Sequence, residues 1–199
     1  MAELSPSGKN GQFSFGFAGD TFNTAWYVAQ LAPEMEVSYL TAIGDDALSE
    51  SMLDFMRNCG IKTSYVMRRP GSAIGLYMIH LENGERSFTY WRGQSAARTL
   101  AYDRTALDRA MGDADLIYLS GITLAILEPE DRGNLLDAVR RYRGKGKVVV
   151  FDTNLRPKLW PSLEDMKISV SQAAAYADIV LPSFEDEAAV FGDTDPQAT

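Results

Sequence analysis

From about residue 36 onward the chain alternates short apolar runs with amphipathic ones. Residues 37–43 are rich in strand-forming side chains and end at Gly44-Asp45-Asp46. Leu48, Met52, Phe55 and Met56 then recur at helical spacing and stop at Cys59-Gly60, a helix C-terminal signal. Residues 116–119 form a second apolar run, ending at Ser120-Gly121. Pro129 stands where a first helical turn tolerates it, and Leu135, Leu136, Val139 and Tyr142 give the following helix one apolar face. Residues 147–151 read as a buried strand ending at Asp152-Thr153-Asn154. Ser162 opens another helix, and residues 179–181 form a last short strand before Pro182-Ser183 and an acidic helix. Strands alternating with helices pair in parallel through crossovers, and continuous rather than alternating apolar strands fit a sheet covered on both faces.

Residues 73–91 break this rhythm. Two β-rich arms flank Glu82-Asn83-Gly84-Glu85, and Asn-Gly between such arms is a strong short-range hairpin signal. Residues 13–17 are a candidate partner. A small antiparallel sheet set apart from a parallel one reads as a lid or a dimer surface; the plainer alternative is an edge extension of the main sheet. Earlier, residues 16–25 place two glycines before a helix start, with Asp20 or Thr21 as its cap. Asn23 and the exposed amides are then available to hydroxyl groups of a ligand. The same residues also suit an ordinary glycine turn feeding a capped helix.

Composition narrows the function classes. The 199 residues are 46% hydrophobic and 23% charged, ordinary for a globular domain, and carry a formal charge of −8. That charge argues against general nucleic-acid or membrane-surface binding. The single cysteine, Cys59, excludes an internal disulfide and fits a reducing compartment, with the cytoplasm as the expected location. With one histidine, His80, and one cysteine, the usual zinc ligand sets are not available. No Gly-x-x-x-x-Gly-Lys-Ser/Thr phosphate loop and no Gly-x-Ser-x-Gly elbow occurs.

In open α/β sheets ligands bind beyond the carboxyl ends of strands. Those ends here carry Gly44-Asp45, Ser120-Gly121, Asp152-Thr153-Asn154 with Arg156, and Ser183 with Glu185. Tyr90 and Arg92, two residues apart, share one face of a strand and can hold a carboxylate or phosphate. Arg156 can approach the same anion, and each arginine alone also reads as a solvated surface charge.

Five segments resemble the ribokinase-like (PfkB) carbohydrate kinases, and within them the 2-keto-3-deoxygluconate kinases. Phe-Ala-Gly-Asp-Thr-Phe-Asn-Thr-Ala, residues 17–25, is similar to the family's sugar-binding Gly-Gly segment, with Ala18 in place of the first glycine. Gly44-Asp45-Asp46 matches its Gly-x-Asp turn. Residues 86–92, ending Tyr90-Trp91-Arg92, resemble the lid strand of the keto-deoxygluconate subgroup. Leu119-Ser120-Gly121-Ile122 and residues 151–160, with Asp152-Thr153-Asn154-Leu155-Arg156, resemble two further strand ends of that subgroup.

The resemblance implies a three-layer α/β fold with a mostly parallel central sheet and a small antiparallel β lid built from about residues 3–17 and 73–92. It implies transfer of the ATP γ-phosphate to 2-keto-3-deoxygluconate, giving the 6-phosphate. Gly19, Asn23, Tyr77, Tyr90, Arg92 and Arg156 would bind the sugar acid, Asn154, Leu155 and Arg156 would lie beside the nucleotide, and Asp186 would stand near a magnesium ion. A neutral sugar such as fructose, or sugar-acid binding without catalysis, are the alternatives. The family's late Gly-Ala-Gly-Asp segment, which supplies the catalytic base, does not occur in these residues. The expectation is therefore the N-terminal part of one kinase domain, without the base and most of the ATP pocket, and a homo-oligomer formed through the lid.

Overall fold

The computed structural model describes residues 1–8, 11–82 and 84–197. They form two compact units, Met1–Leu100 and Ala101–Thr199.

The first unit opens with β1 (Ala2–Pro6) and β2 (Phe13–Phe17), followed by α1 (Asp20–Leu31), β3 (Thr41–Ile43), α2 (Ala47–Asn58), β4 (Val66–Arg68), β5 (Leu76–Glu82) and β6 (Glu85–Trp91). A four-stranded sheet runs in the order β2-β1-β5-β6, and β3 pairs with β4 in parallel. The expected hairpin is present as the β5–β6 pair, with Tyr77 opposite Tyr90. Gly84 takes φ +84° in its turn, a conformation glycine adopts without penalty; Asn83 lies outside the described residues.

Residues 13–17 do not pair with the hairpin. They pair with β1, which is inserted between β2 and β5. The β1–β5 ladder is parallel, so the sheet is mixed rather than antiparallel. The expected strand at 37–43 shrinks to Thr41–Ile43, with Ser38 bridging to Lys62.

The core of this unit joins α1 and α2 through Phe22, Ile43, Met52, Leu53, Met56 and Ile61. Cys59 ends α2 and packs at the margin of that cluster. α2 starts where the sequence motif Gly-Asp-Asp puts Asp46 at the cap. Its carboxylate accepts from the amides of Leu48 at 2.9 Å and Ser49 at 3.1 Å, and from the Ser49 hydroxyl at 2.7 Å.

In the second unit α3 (Arg104–Asp113), β7 (Leu116–Ser120), α4 (Gly121–Ala125), α5 (Pro129–Arg143), β8 (Val148–Asp152), α6 (Leu163–Ala175), β9 (Ile179–Leu181) and α7 (Phe184–Phe191) follow in turn. β7, β8 and β9 form one parallel sheet in that order, as the strand–helix alternation requires. Pro129 is the first residue of α5, and Ser162 caps α6 through its hydroxyl. Ile117, Leu119, Val149 and Phe151 from the sheet are buried, as are Leu135, Leu136 and Val139 of α5 and Met166 and Val170 of α6.

Burial disfavours the ionised Asp46 side chain, yet its three hydrogen bonds outweigh that and hold its carboxyl below the usual range. A carboxyl lowered in the folded state stabilises it above the unfolded value, about pH 4, and loses that contribution as pH falls through the folded value. Asp46→Ala should therefore cost about 1 kcal/mol in urea unfolding at pH 7 and visibly less below about pH 3.

Candidate functional site

Gly19 has φ +150°, a region L side chains rarely adopt, and serves as N-cap of α1. Neither Asp20 nor Thr21 caps the helix: Asp20 is its first residue, and the Thr21 hydroxyl pairs with that of Tyr39 at 2.9 Å. The orphan amide of Gly19 donates instead to Asn23 Oδ1 at 3.1 Å, while the Asn23 amide donates to the Gly19 carbonyl at 2.7 Å. Gly19 and Asn23 thus form one closed turn, and the Gly19 amide is not available to a ligand. Asn23 keeps an exposed side chain.

Across the four-stranded sheet, directly opposed residues share a face. Glu3 stands opposite Tyr77, and Tyr77 opposite Tyr90, making one row over β1, β5 and β6. The Tyr77 hydroxyl donates to the Glu3 carboxylate. Burial first, then the Glu3 carboxylate, pushes the Tyr77 phenol far above its usual range, so it stays protonated. The Tyr77 ring lies 5.9 Å from Tyr90 and 6.2 Å from Phe88, and Phe88 stacks on Tyr90 at 6.1 Å. Arg92 follows β6 and places its guanidinium carbon 4.2 Å from the centre of the Tyr90 ring.

Arg92 is the unusual group of this unit. Burial disfavours its charged form, and the neighbouring Tyr90 and Asp20 oppose that. Among the described residues no hydrogen bond or ion pair ties it to a carboxylate. A half-buried cation seated on an aromatic ring and lacking an anion is electrostatically incomplete. Tyr77, Tyr90 and Arg92 are therefore brought together as expected. Glu3 and Asp20 are the participants that sequence reasoning missed. The alternation of β1 carries the signal for Glu3, but only strand pairing reveals its partner. His80 lies on the opposite sheet face, exposed and 3.1 Å from the Thr89 hydroxyl.

In the second unit the ends of β7 and β8 approach closely. A Cβ on Gly121 would sit 2.0 Å from the Thr153 carbonyl oxygen, so only glycine fits there. Beyond Thr153, Asn154 turns the chain at φ +31°, a region Asn tolerates better than most residues. Leu155 is buried at 2% exposure, so it belongs to the core. Arg156 is half exposed and donates from Nη1 to the Asp186 carboxylate at 3.3 Å. Asp186, the expected neighbour of a metal, is thus already paired with a cation. Among the described residues no group of three or more His, Cys, Asp or Glu could hold a metal ion, and these side chains do not fit a resident magnesium. Beside Asp186, Glu187 is buried, and burial raises its carboxyl while the Thr153 hydroxyl opposes the shift.

A buried arginine, also absent from the sequence reading, braces the same unit. Arg132 donates to the carbonyls of Leu124 at 2.9 Å and Leu127 at 3.1 Å, and its guanidinium covers Trp160 at 4.6 Å. No helix among the described residues is long and apolar enough to cross a membrane.

With this geometry in view, the pattern of the pfkB family carbohydrate kinases matches residues 2–199. The chain belongs to that family. It is 41% identical over 182 residues to the 2-dehydro-3-deoxygluconokinase of Haemophilus influenzae, covering 89% of this chain and 58% of that protein. Against the enzyme of the same name from Dickeya dadantii the identity is 39% over 198 residues, covering 97% of this chain and 63% of the relative. The crystal structure of the 2-dehydro-3-deoxygluconokinase of Thermotoga maritima superimposes with a TM-score of 0.85 at 25% identity, covering 98% of this chain and 61% of that one. The fold is accordingly the mixed α/β architecture of pfkB kinases, with parallel strands as expected. The chain spans about six-tenths of the length of these curated relatives.

The tight approach of β7 to β8 gives a direct test. Gly121→Ala must force the Ser120-Gly121 and Thr153-Asn154 segments apart, and should cost about 2 kcal/mol or more in urea unfolding.

Proposed function

We propose that this chain is the sugar-recognising part of a kinase that transfers the γ-phosphoryl group of ATP to 2-keto-3-deoxygluconate, yielding the 6-phosphate. The observation that carries this reading is Arg92: a guanidinium partly removed from water, stacked on Tyr90 at 4.2 Å, with no protein carboxylate bound to it among the described residues. A sugar acid supplies the missing anion. Arginine offers paired planar donors to a carboxylate, and the Tyr90 hydroxyl can add a third. The names of the relatives at 39–41% identity point to the same substrate.

In this reading Asn23 and the Gly19 turn meet the hydroxyl groups and Tyr77 lies behind Tyr90, while in the second unit the turn Asn154-Leu155-Arg156 serves the nucleotide. ATP is the phosphoryl donor, and magnesium enters as its counter-ion rather than as a resident of this chain. The family's Gly-Ala-Gly-Asp segment does not occur in these residues, so the reading is tested through binding. The single Cys59 and the acidic composition support a cytoplasmic enzyme.

The four-stranded sheet acts as a lid in this proposal and pairs with a second copy. Phe13 and Phe15 on β2 lie on the face opposite to Tyr90, as does Trp91, and they are 41%, 54% and 52% exposed. Such aromatics suit a homo-oligomer surface. Phe15→Asp should shift the protein to a smaller species in sedimentation velocity, and an unchanged sedimentation coefficient removes the lid from the interface.

The substrate assignment is tested by calorimetry on the protein as its gene encodes it, with 2-keto-3-deoxygluconate and its uncharged primary amide. Arg92→Ala should weaken the acid by about 100-fold, the scale of a charge-assisted pair, while barely changing the amide. A wild-type protein indifferent to the acid group, as expected for a fructose-type kinase, would overturn it.

A further inference from the structure

We propose that Glu3 is a positioning residue for the carboxylate clamp: through the Tyr77 hydroxyl it sets the aromatic stack on which Arg92 rests. The inference rests on the reading of Arg92 given above.

The chain of contacts is continuous. Glu3 and Tyr77 are register partners on β1 and β5, and the phenol donates its single proton to the carboxylate. Tyr77 is buried, so its ring cannot swing freely once that bond is made. The ring bears on Tyr90 and Phe88 at 5.9 and 6.2 Å, and Tyr90 bears Arg92 at 4.2 Å. β6, which carries Phe88 and Tyr90, is exposed along its whole length. Its aromatic side chains therefore depend on contacts across the sheet for their orientation. A fixed guanidinium gains more from a bidentate carboxylate than a mobile one, because less rotamer freedom is lost on binding.

Charge and position make opposite predictions for Glu3, which is what renders the idea decidable. Acting only as a negative charge on the clamp face, Glu3 repels an anion, and removing it would tighten binding of the acid. Acting as a positioning group, it aids binding, and removing it weakens the acid.

The test is calorimetry of the acid and its primary amide with wild type, Glu3→Ala, Glu3→Gln, Tyr77→Phe and the double variant, each checked for an unchanged unfolding temperature within a few degrees. Glu3→Ala should lower the preference for acid over amide by about 10-fold, the scale of one hydrogen bond to a charged group. Tyr77→Phe should do the same, and combining the two should add nothing further. Glu3→Gln, which keeps an acceptor oxygen at near-identical shape, should restore the preference.

A purely structural Glu3 would lower the unfolding temperature without moving the preference, and that result overturns the proposal. So does tighter acid binding by Glu3→Ala, or full additivity of the two substitutions. Loss of the preference in Arg92→Ala together with its survival in both Glu3 variants refutes the positioning role alone. Absence of any preference in wild type refutes the carboxylate clamp itself.

Discussion

A guanidinium half removed from water has to be compensated, and among the described residues no carboxylate is bound to that of Arg92. Arg92 rests on the face of Tyr90, whose ring offers a partial negative charge but no full anion. Asp20 contributes its field from the first turn of α1. The sheet around Arg92 is arranged to keep that cation in place: β1 runs parallel to β5, β6 runs antiparallel on its other side, and the row Glu3, Tyr77, Tyr90 crosses all three strands. An overall charge of −8 makes a desolvated, unpaired arginine the more informative, because the chain has carboxylates in excess.

The second unit shows a different constraint, one of backbone proximity. β7 and β8 end side by side, and their following turns pass so closely that Gly121 has no room for a side chain. The Asn154 turn, the buried Leu155 and the Arg156–Asp186 pair all follow from that crossing. The turn is held from below by core packing and from the side by α7. Exposed groups and fixed backbone are thus combined at the carboxyl ends of parallel strands, the place where such sheets meet their ligands.

Much of this was legible in the residues. The strand–helix alternation, the caps at Asp46 and Ser162, Pro129 at the start of α5 and the hairpin around Gly84 all follow from short-range rules, since each depends on neighbours within one turn of chain. The pairing of Tyr90 with Arg92 was legible for the same reason: a two-residue spacing puts both on one strand face. The differences lie where partners are distant in sequence or where two local closures compete. Residues 13–17 were matched to the hairpin, but β1 intervenes, a choice that depends on which edges compete for hydrogen bonds. The cap of α1 fell on Gly19 because Asn23 reaches back to its amide, a local closure that competes with capping by Asp20 or Thr21.

By itself, then, the sequence determined the element types, the parallel α/β class and the candidate anion-binding pair, because periodicity and spacing are properties of adjacent residues, and its motif segments carried the resemblance to the family. Only the tertiary structure decided that Glu3 holds Tyr77 across 74 residues, that Arg92 lacks a protein counter-ion among the described residues, and that Asp186 is already paired with Arg156. Those outcomes depend on strand order and burial, which bring distant groups within hydrogen-bond reach and withdraw water from them.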